Sequence, residues 1–196
     1  MADVITDELI MARVVAGDMT ALGELFERYK QPLFAFLCRL LGRRDVAEDL
    51  LQDTFLRVYD RRRTFKPSLR FAAWLYAIAH HLAIDTLRRD ARCDYRDEVP
   101  DTPGAALEDD VARRLLGDEV RRAVAALPAD QRTVIILREY HDFSFKEIAA
   151  IAGISEEAAR VRAFRARQLL RTALAEYVDD AGNVSIPSHV TSTEGR

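Results

Sequence analysis

Cysteine is nearly missing from this chain: 196 residues carry only Cys38 and Cys93, which stand too far apart for a CxxC metal site and too few for a disulfide framework. Both read as free thiols. No apolar run approaches the roughly 20 residues needed to span a bilayer, and the first residues show no signal-peptide pattern, so the expectation is a cytoplasmic chain with no membrane partner. A glycine-rich phosphate loop and an HExxH pair are also lacking, and no cofactor or metal is expected. There is no internal repeat. Even a strong charge imbalance is absent, since 29 Lys and Arg face 32 Asp and Glu. Total charge therefore says nothing about nucleic acid; its distribution does.

Residues 60–90 hold seven bases and three acids, whereas residues 94–119 hold three bases and nine acids. The chain is electrostatically segmented. Residues 6–16 predict a short helix closed by Gly17, and Asp18 caps the next, in which Leu22, Leu25, Phe26, Tyr29, Leu33, Phe36, Leu37 and Leu40 recur at helical spacing. Pro32 should kink or divide that helix, and Gly42 should end it. A third helix over residues 45–59 buries Ala47, Leu50, Leu51, Thr54 and Val58. Its other face shows Asp45, Glu48, Asp49, Gln52, Asp53, Leu56 and Asp60. Like charges at i,i+4 weaken an isolated helix, so this face fits a basic partner surface, and it fits an acidic solvated face equally well.

Residues 61–70, RRRTFKPSLR, read as a basic loop with one aromatic, Phe65, of the kind that stacks on single-stranded bases while arginines follow the phosphates. A helix over residues 71–89 follows, with Trp74 on its apolar side. Residues 92–116 turn acidic and irregular around Pro100, Pro103 and Gly104, which predicts a flexible linker. Helical spacing resumes at residue 115, stops at Pro128 and resumes over residues 129–140. After Tyr177 the apolar content is too low to offset ordering, and a disordered tail is expected over residues 179–196.

The most informative stretch spans residues 144–171. Ser144 and Glu147 form a capping box, Gly153 supplies the left-handed residue that closes the first helix, and Ser155 caps a second. Two short helices on a tight turn make a helix-turn-helix. In the second, Ala159, Ala163, Ala166 and Leu170 share a narrow inner side. Glu157, Val161, Phe164 and Gln168 form the outermost strip, flanked by Arg160, Arg162, Arg165, Arg167 and Arg171, and no acid occurs from residue 158 to 173. Such a helix suits a major groove, with guanidinium groups on phosphates and the strip over base edges.

Taken in order, these pieces resemble the extracytoplasmic-function class of bacterial RNA polymerase sigma factors. The carriers are DVAEDLLQDTF at residues 45–55, FAAWLYAIA at 71–79, LAIDTLRR at 82–89, then Leu127-Pro128 with Arg132, SFKEIA at 144–149, GIS at 153–155 and Arg165-Ala166-Arg167. The resemblance implies an all-α chain of two small helical domains, sigma2-like over residues 1–91 and sigma4-like over residues 117–178. It implies core RNA polymerase and promoter DNA as partners, with an anti-sigma factor as a further candidate. Asp49, Gln52, Asp53, Phe55 and Leu56 would then meet the core enzyme. Arg61, Arg62, Arg63, Phe65, Lys66, His80, His81 and Arg88 would serve the −10 element. Ser155, Glu157, Arg160, Val161, Arg162, Phe164, Arg165 and Arg167 would serve the −35 element. The family commonly has Arg-Asn where His80 and His81 stand, and a less apolar reading face than Ala159, Val161 and Phe164 give. Two rivals are an operator-binding regulator with a ligand-sensing N-terminal half, and a metal-dependent phosphohydrolase using His80, His81 and Asp85. The first has no use for an acidic helix joined to a basic loop, and the second lacks a further ligand.

Overall fold

The computed structural model describes residues 5–68, 70–91 and 111–177, and among these the chain folds as eight α-helices without a strand. Helix α1 (Asp7–Val15) leads through Gly17, whose φ of 100° suits only glycine at low cost, into α2 (Met19–Leu41). Asp18 starts α2 by accepting the backbone N–H groups of Thr20 at 2.9 Å and Ala21 at 3.2 Å. Hydrogen bonding from Arg13 chiefly, aided by the Ala21 N–H, holds the Asp18 carboxyl below its ordinary range. Of the two outcomes expected at Pro32, a kink or a division, α2 is not divided. A proline inside a helix costs about 3 kcal/mol, but Leu33, Phe36, Leu37 and Leu40 beyond it are fully buried. Each such side chain contributes about 1.5–3 kcal/mol, so burial outweighs the lost bond.

Helix α3 (Arg44–Asp60) and a single 3-10 turn (Arg62–Thr64) lead to α4 (Phe71–Asp90). Arg70 offers no side-chain cap to α4; instead Glu8 of α1 accepts the Phe71 N–H at 2.9 Å, tying the first and fourth helices together. The second half comprises α5 (Val111–Ala126), α6 (Ala129–Glu139), α7 (Phe145–Ala152), α8 (Glu156–Ala173) and a closing 3-10 turn (Ala175–Tyr177). Helix α5 begins inside the stretch expected to be linker, because VARRLL from Val111 is already rich in good helix formers. The expected linker residues 92–110, with Cys93, and the expected tail lie outside the described residues.

Between the two halves the arrangement differs most from a pair of tethered domains. One apolar core runs through both, joining Phe36, Leu37 and Leu40 of α2 and Leu75 and Tyr76 of α4 to Ile136, Leu137, Phe143, Ile148 and Ile151. Helix α4 packs on α7, and α2 packs on α6. Polar groups register this seam: Arg132 donates to the Leu40 carbonyl at 2.8 Å, Arg70 pairs with Glu147 at 3.0 Å, and the Tyr76 hydroxyl meets His141 Nδ1 at 3.0 Å. The Arg39 guanidinium lies 4.3 Å from the centre of the Tyr140 ring. Spacing along a single helix could not reveal these contacts, since each joins residues at least 65 positions apart.

Candidate nucleic-acid and polymerase interfaces

The helix-turn-helix is built from its caps outward. Ser144 and Glu147 close a reciprocal capping box in which Glu147 accepts the Ser144 N–H at 2.8 Å, and hydrogen bonds from Ser144 and Arg70 keep the Glu147 carboxyl below its ordinary range against the opposing effect of burial. Gly153 takes φ 66°, and Ser155 Oγ accepts the Ala158 N–H at 3.1 Å to start α8. Ala159, Ala163 and Ala166 are fully buried, so three methyl-sized side chains let α8 press closely onto α6 and α7. That packing turns Glu157, Val161, Phe164 and Gln168 outward, with Arg160, Arg165, Arg167 and Arg171 exposed beside them and Arg162 half-buried. Phe164 is 63% exposed.

The arginines are less free than an acid-free helix implies. Arg160 pairs with Glu156 one turn earlier, Arg162 with Asp130 at 3.3 Å and Arg167 with Glu139 at 2.7 Å. Asp130 and Glu139 belong to α6, so inspection of α8 alone misses them. Among the described residues no carboxylate pairs with Arg165 or Arg171. Exposed ion pairs are worth about 0–1 kcal/mol, and a phosphate can replace any of these carboxylates cheaply. Arg160 and Arg138 also lie over Phe145 at the start of α7, at 5.0 and 5.2 Å.

On α3, Asp49, Gln52 and Asp53 are exposed and Leu56 is 63% exposed, forming a continuous acidic face with one apolar point. Asp45 at its start accepts the Val46 N–H, which holds its carboxyl below the ordinary range. Phe55 must be withdrawn from that face: it is buried edge-on against Phe26, with ring centres 5.0 Å apart. Phe65 must likewise be withdrawn as a stacking platform. Its ring packs 5.3 Å from Trp74 and 6.0 Å from Phe71, so the aromatic of the basic loop anchors the loop instead of facing solvent.

Arg61, Arg63 and Lys66 are exposed around that anchor, while Arg62 lies over the Tyr59 ring at 3.9 Å and donates to the Tyr59 carbonyl at 2.6 Å. His81 and Arg88 are exposed on α4; the His81 Nδ1 binds the Ala77 carbonyl at 2.6 Å, and Arg88 lies 3.9 Å from Asp85. Among the described residues His81 and Asp85, both named for the phosphohydrolase rival, form no hydrogen bond with each other. His80, unlike these two, faces the seam, buried, with its Nδ1 unpartnered. Burial pushes its pKa down to about 4, helped by His81 and Arg162. Beside it a half-open cleft of about 550 Å³ lies between α4 and the helix-turn-helix, lined in part by Arg88, Thr133, Ile154 and Arg162. Among the described residues no three His, Cys, Asp or Glu side chains converge on a point where a metal ion could bind, and no helix is long and apolar enough to cross a membrane.

Each half of the chain matches a known family. Residues 25–93 match the family described as Sigma-70 region 2, and residues 117–170 match Sigma-70, region 4. RNA polymerase sigma factor CarQ of Myxococcus xanthus is 39% identical over 171 residues, covering 85% of this chain and 96% of that protein. ECF RNA polymerase sigma factor SigW of Bacillus subtilis is 32% identical over 174 residues, covering 83% and 93%. Among solved structures, CnrH in complex with the cytosolic domain of CnrY superposes with a TM-score of 0.67 at 28% identity, over 86% of this chain and 97% of that one. The sigma factor RpoE of Bartonella quintana, in complex with the anti-sigma factor NepR, gives 0.64 at 29% identity over 74% and 90%.

Proposed function

Because this chain belongs to the extracytoplasmic-function sigma factors, which direct promoter-specific initiation by bacterial RNA polymerase, we propose that it divides the work between two faces and must open to use both. Asp49, Gln52, Asp53 and Leu56 of α3 dock on a basic surface of the core enzyme. Arg61, Arg63, Lys66, His81 and Arg88 follow DNA at the −10 element, and α8 reads the −35 element. The exposed, acid-flanked Leu56 and the exposed Phe164 among arginines, in opposite halves of one chain, are the observation that carries this reading. Residues 1–91 and 117–178 act as the two promoter-binding units. The chain performs no covalent chemistry and works in the cytoplasm; unstacked bases captured in protein pockets would offset a few kcal/mol of unstacking each.

The closed seam sets a condition on this activity. Elements named −35 and −10 lie roughly 25 base pairs apart, about 85 Å along B-form DNA at 3.4 Å per pair. A compact body of about 170 residues has a radius of gyration near 15 Å. The two halves cannot reach both elements while α4 packs on α7, so the seam parts in the initiating complex and His80 becomes available to DNA only then. Since one similar structure was solved with an anti-sigma factor, an anti-sigma protein is a natural regulator for this chain, and one that bound across the seam would hold it shut. Purified protein mixed with core polymerase should support run-off transcription from a promoter that core alone ignores. Operator binding by the isolated protein with no stimulation of core enzyme would instead favour an ordinary regulator.

A further inference from the structure

Phe164 sits at the centre of the α8 reading strip, with Val161 one turn before it and Gln168 one turn after it, and it is 63% exposed beside a 42% exposed Val161. No part of the seam covers either side chain. Around them lie Arg160, Arg165 and Arg167, while the strip's own acid, Glu157, stands at the N-terminal end of α8. The positive collar suits DNA as the occupant, and the phenyl ring then faces base edges, because the arginines flanking it take the phosphates.

A phenyl ring has no donor or acceptor with which to read the polar pattern of the major groove. The one apolar group presented there is the thymine C5-methyl. Seated over cytosine, the ring would cover the exocyclic amine and leave it without a partner, which penalises that base. We propose that Phe164, with Val161, reads thymine in the −35 element through its C5-methyl, and that Gln168 takes an adenine one step along the groove, the base whose N6 and N7 match its amide. This rests on α8 being the −35 reader, and it names the residue that decides base preference there.

The test uses holoenzyme, a −35 element selected by that holoenzyme from random DNA, and replacement of each thymine in turn by deoxyuridine, which removes only the methyl group. One methyl in an apolar contact is worth about fourfold in affinity. One or two positions should lose about fourfold with the parent protein and lose nothing with Phe164→Ala, whose binding should keep the parent's salt dependence. Uracil-insensitive binding throughout, or the same uracil sensitivity in Phe164→Ala, would overturn the assignment. Selection of no −35 element at all would overturn the α8 reading beneath it, and Phe164 covered by a protein partner with DNA indifferent to the methyl would assign the patch to that partner.

Discussion

His80 and His141 show how single residues hold the seam and how acid would loosen it. Both are pushed down to about 4, in each case mainly by burial, and each has a ring nitrogen without a partner. His80 faces His81 and Arg88 from its own helix and Arg162 from α8, with Asp130 and Thr133 of α6 in the same cleft. His141 faces Arg39 of α2 and Tyr76 of α4, with Asp142 beside it. A histidine whose pKa is depressed in the closed state stabilises that state above its free value near 6.5, and the contribution is lost as pH falls toward 4. At pH 5.5 each histidine would cost about 1.4 kcal/mol of closure. The expected outcome is a seam that loosens between pH 6.5 and 4, read by small-angle scattering as a rising radius of gyration, with His80→Leu weakening the response; a radius independent of pH over that window would contradict it. Phe55, Phe65 and His80 each sit where helical spacing or loop composition allows either exposure or burial, and only the neighbouring element decides.

At the scale of elements, α3 and α8 carry the functional claims. Like charges brought together at an interface cost several kcal/mol, so Asp49→Lys with Asp53→Lys should lower core-polymerase affinity by orders of magnitude. Both positions are exposed and lysine is a good helix former, so circular dichroism should show unchanged helix; tight core binding by the folded double variant would move the docking face elsewhere. On α8 the arginines should separate by their present partners. Arg165 has no carboxylate to release among the described residues, and Arg165→Ala should make the salt slope of log promoter affinity shallower by about 0.9. Arg167→Ala should change the affinity less, because its bond to Glu139 offsets part of the gain. Equal effects would mean that the pairs count for nothing on DNA. These helices were legible beforehand because their caps are local: Ser144, Gly153 and Ser155 act within four residues of themselves. The ion pairs from α6, the Glu8 cap on α4 and the undivided course of α2 through Pro32 were not, since tertiary packing supplies them.

For the molecule as a whole, the halves were readable from motif order, but their union was not. Apolar residues on the outer sides of α2 and α4, such as Phe36 and Tyr76, satisfy helical spacing whether they face their own bundle or the other one. Their rings meet His141 and Phe143 across the seam, at 5.9 and 5.0 Å. The central claim is that these halves are joined in the free protein and parted on the promoter. Spin labels at Glu27→Cys on α2 and Thr172→Cys on α8 would report it, with Cys93→Ser removing one native thiol and Cys38 left in place, since it is buried and burial pushes its pKa up to about 11. The free protein should show one distance that fits within the compact body, replaced, in the complex with core polymerase and promoter DNA, by a separation approaching the roughly 85 Å between the two elements. The compact distance persisting in a complex making transcript, or the long one already present in the free protein, would contradict it.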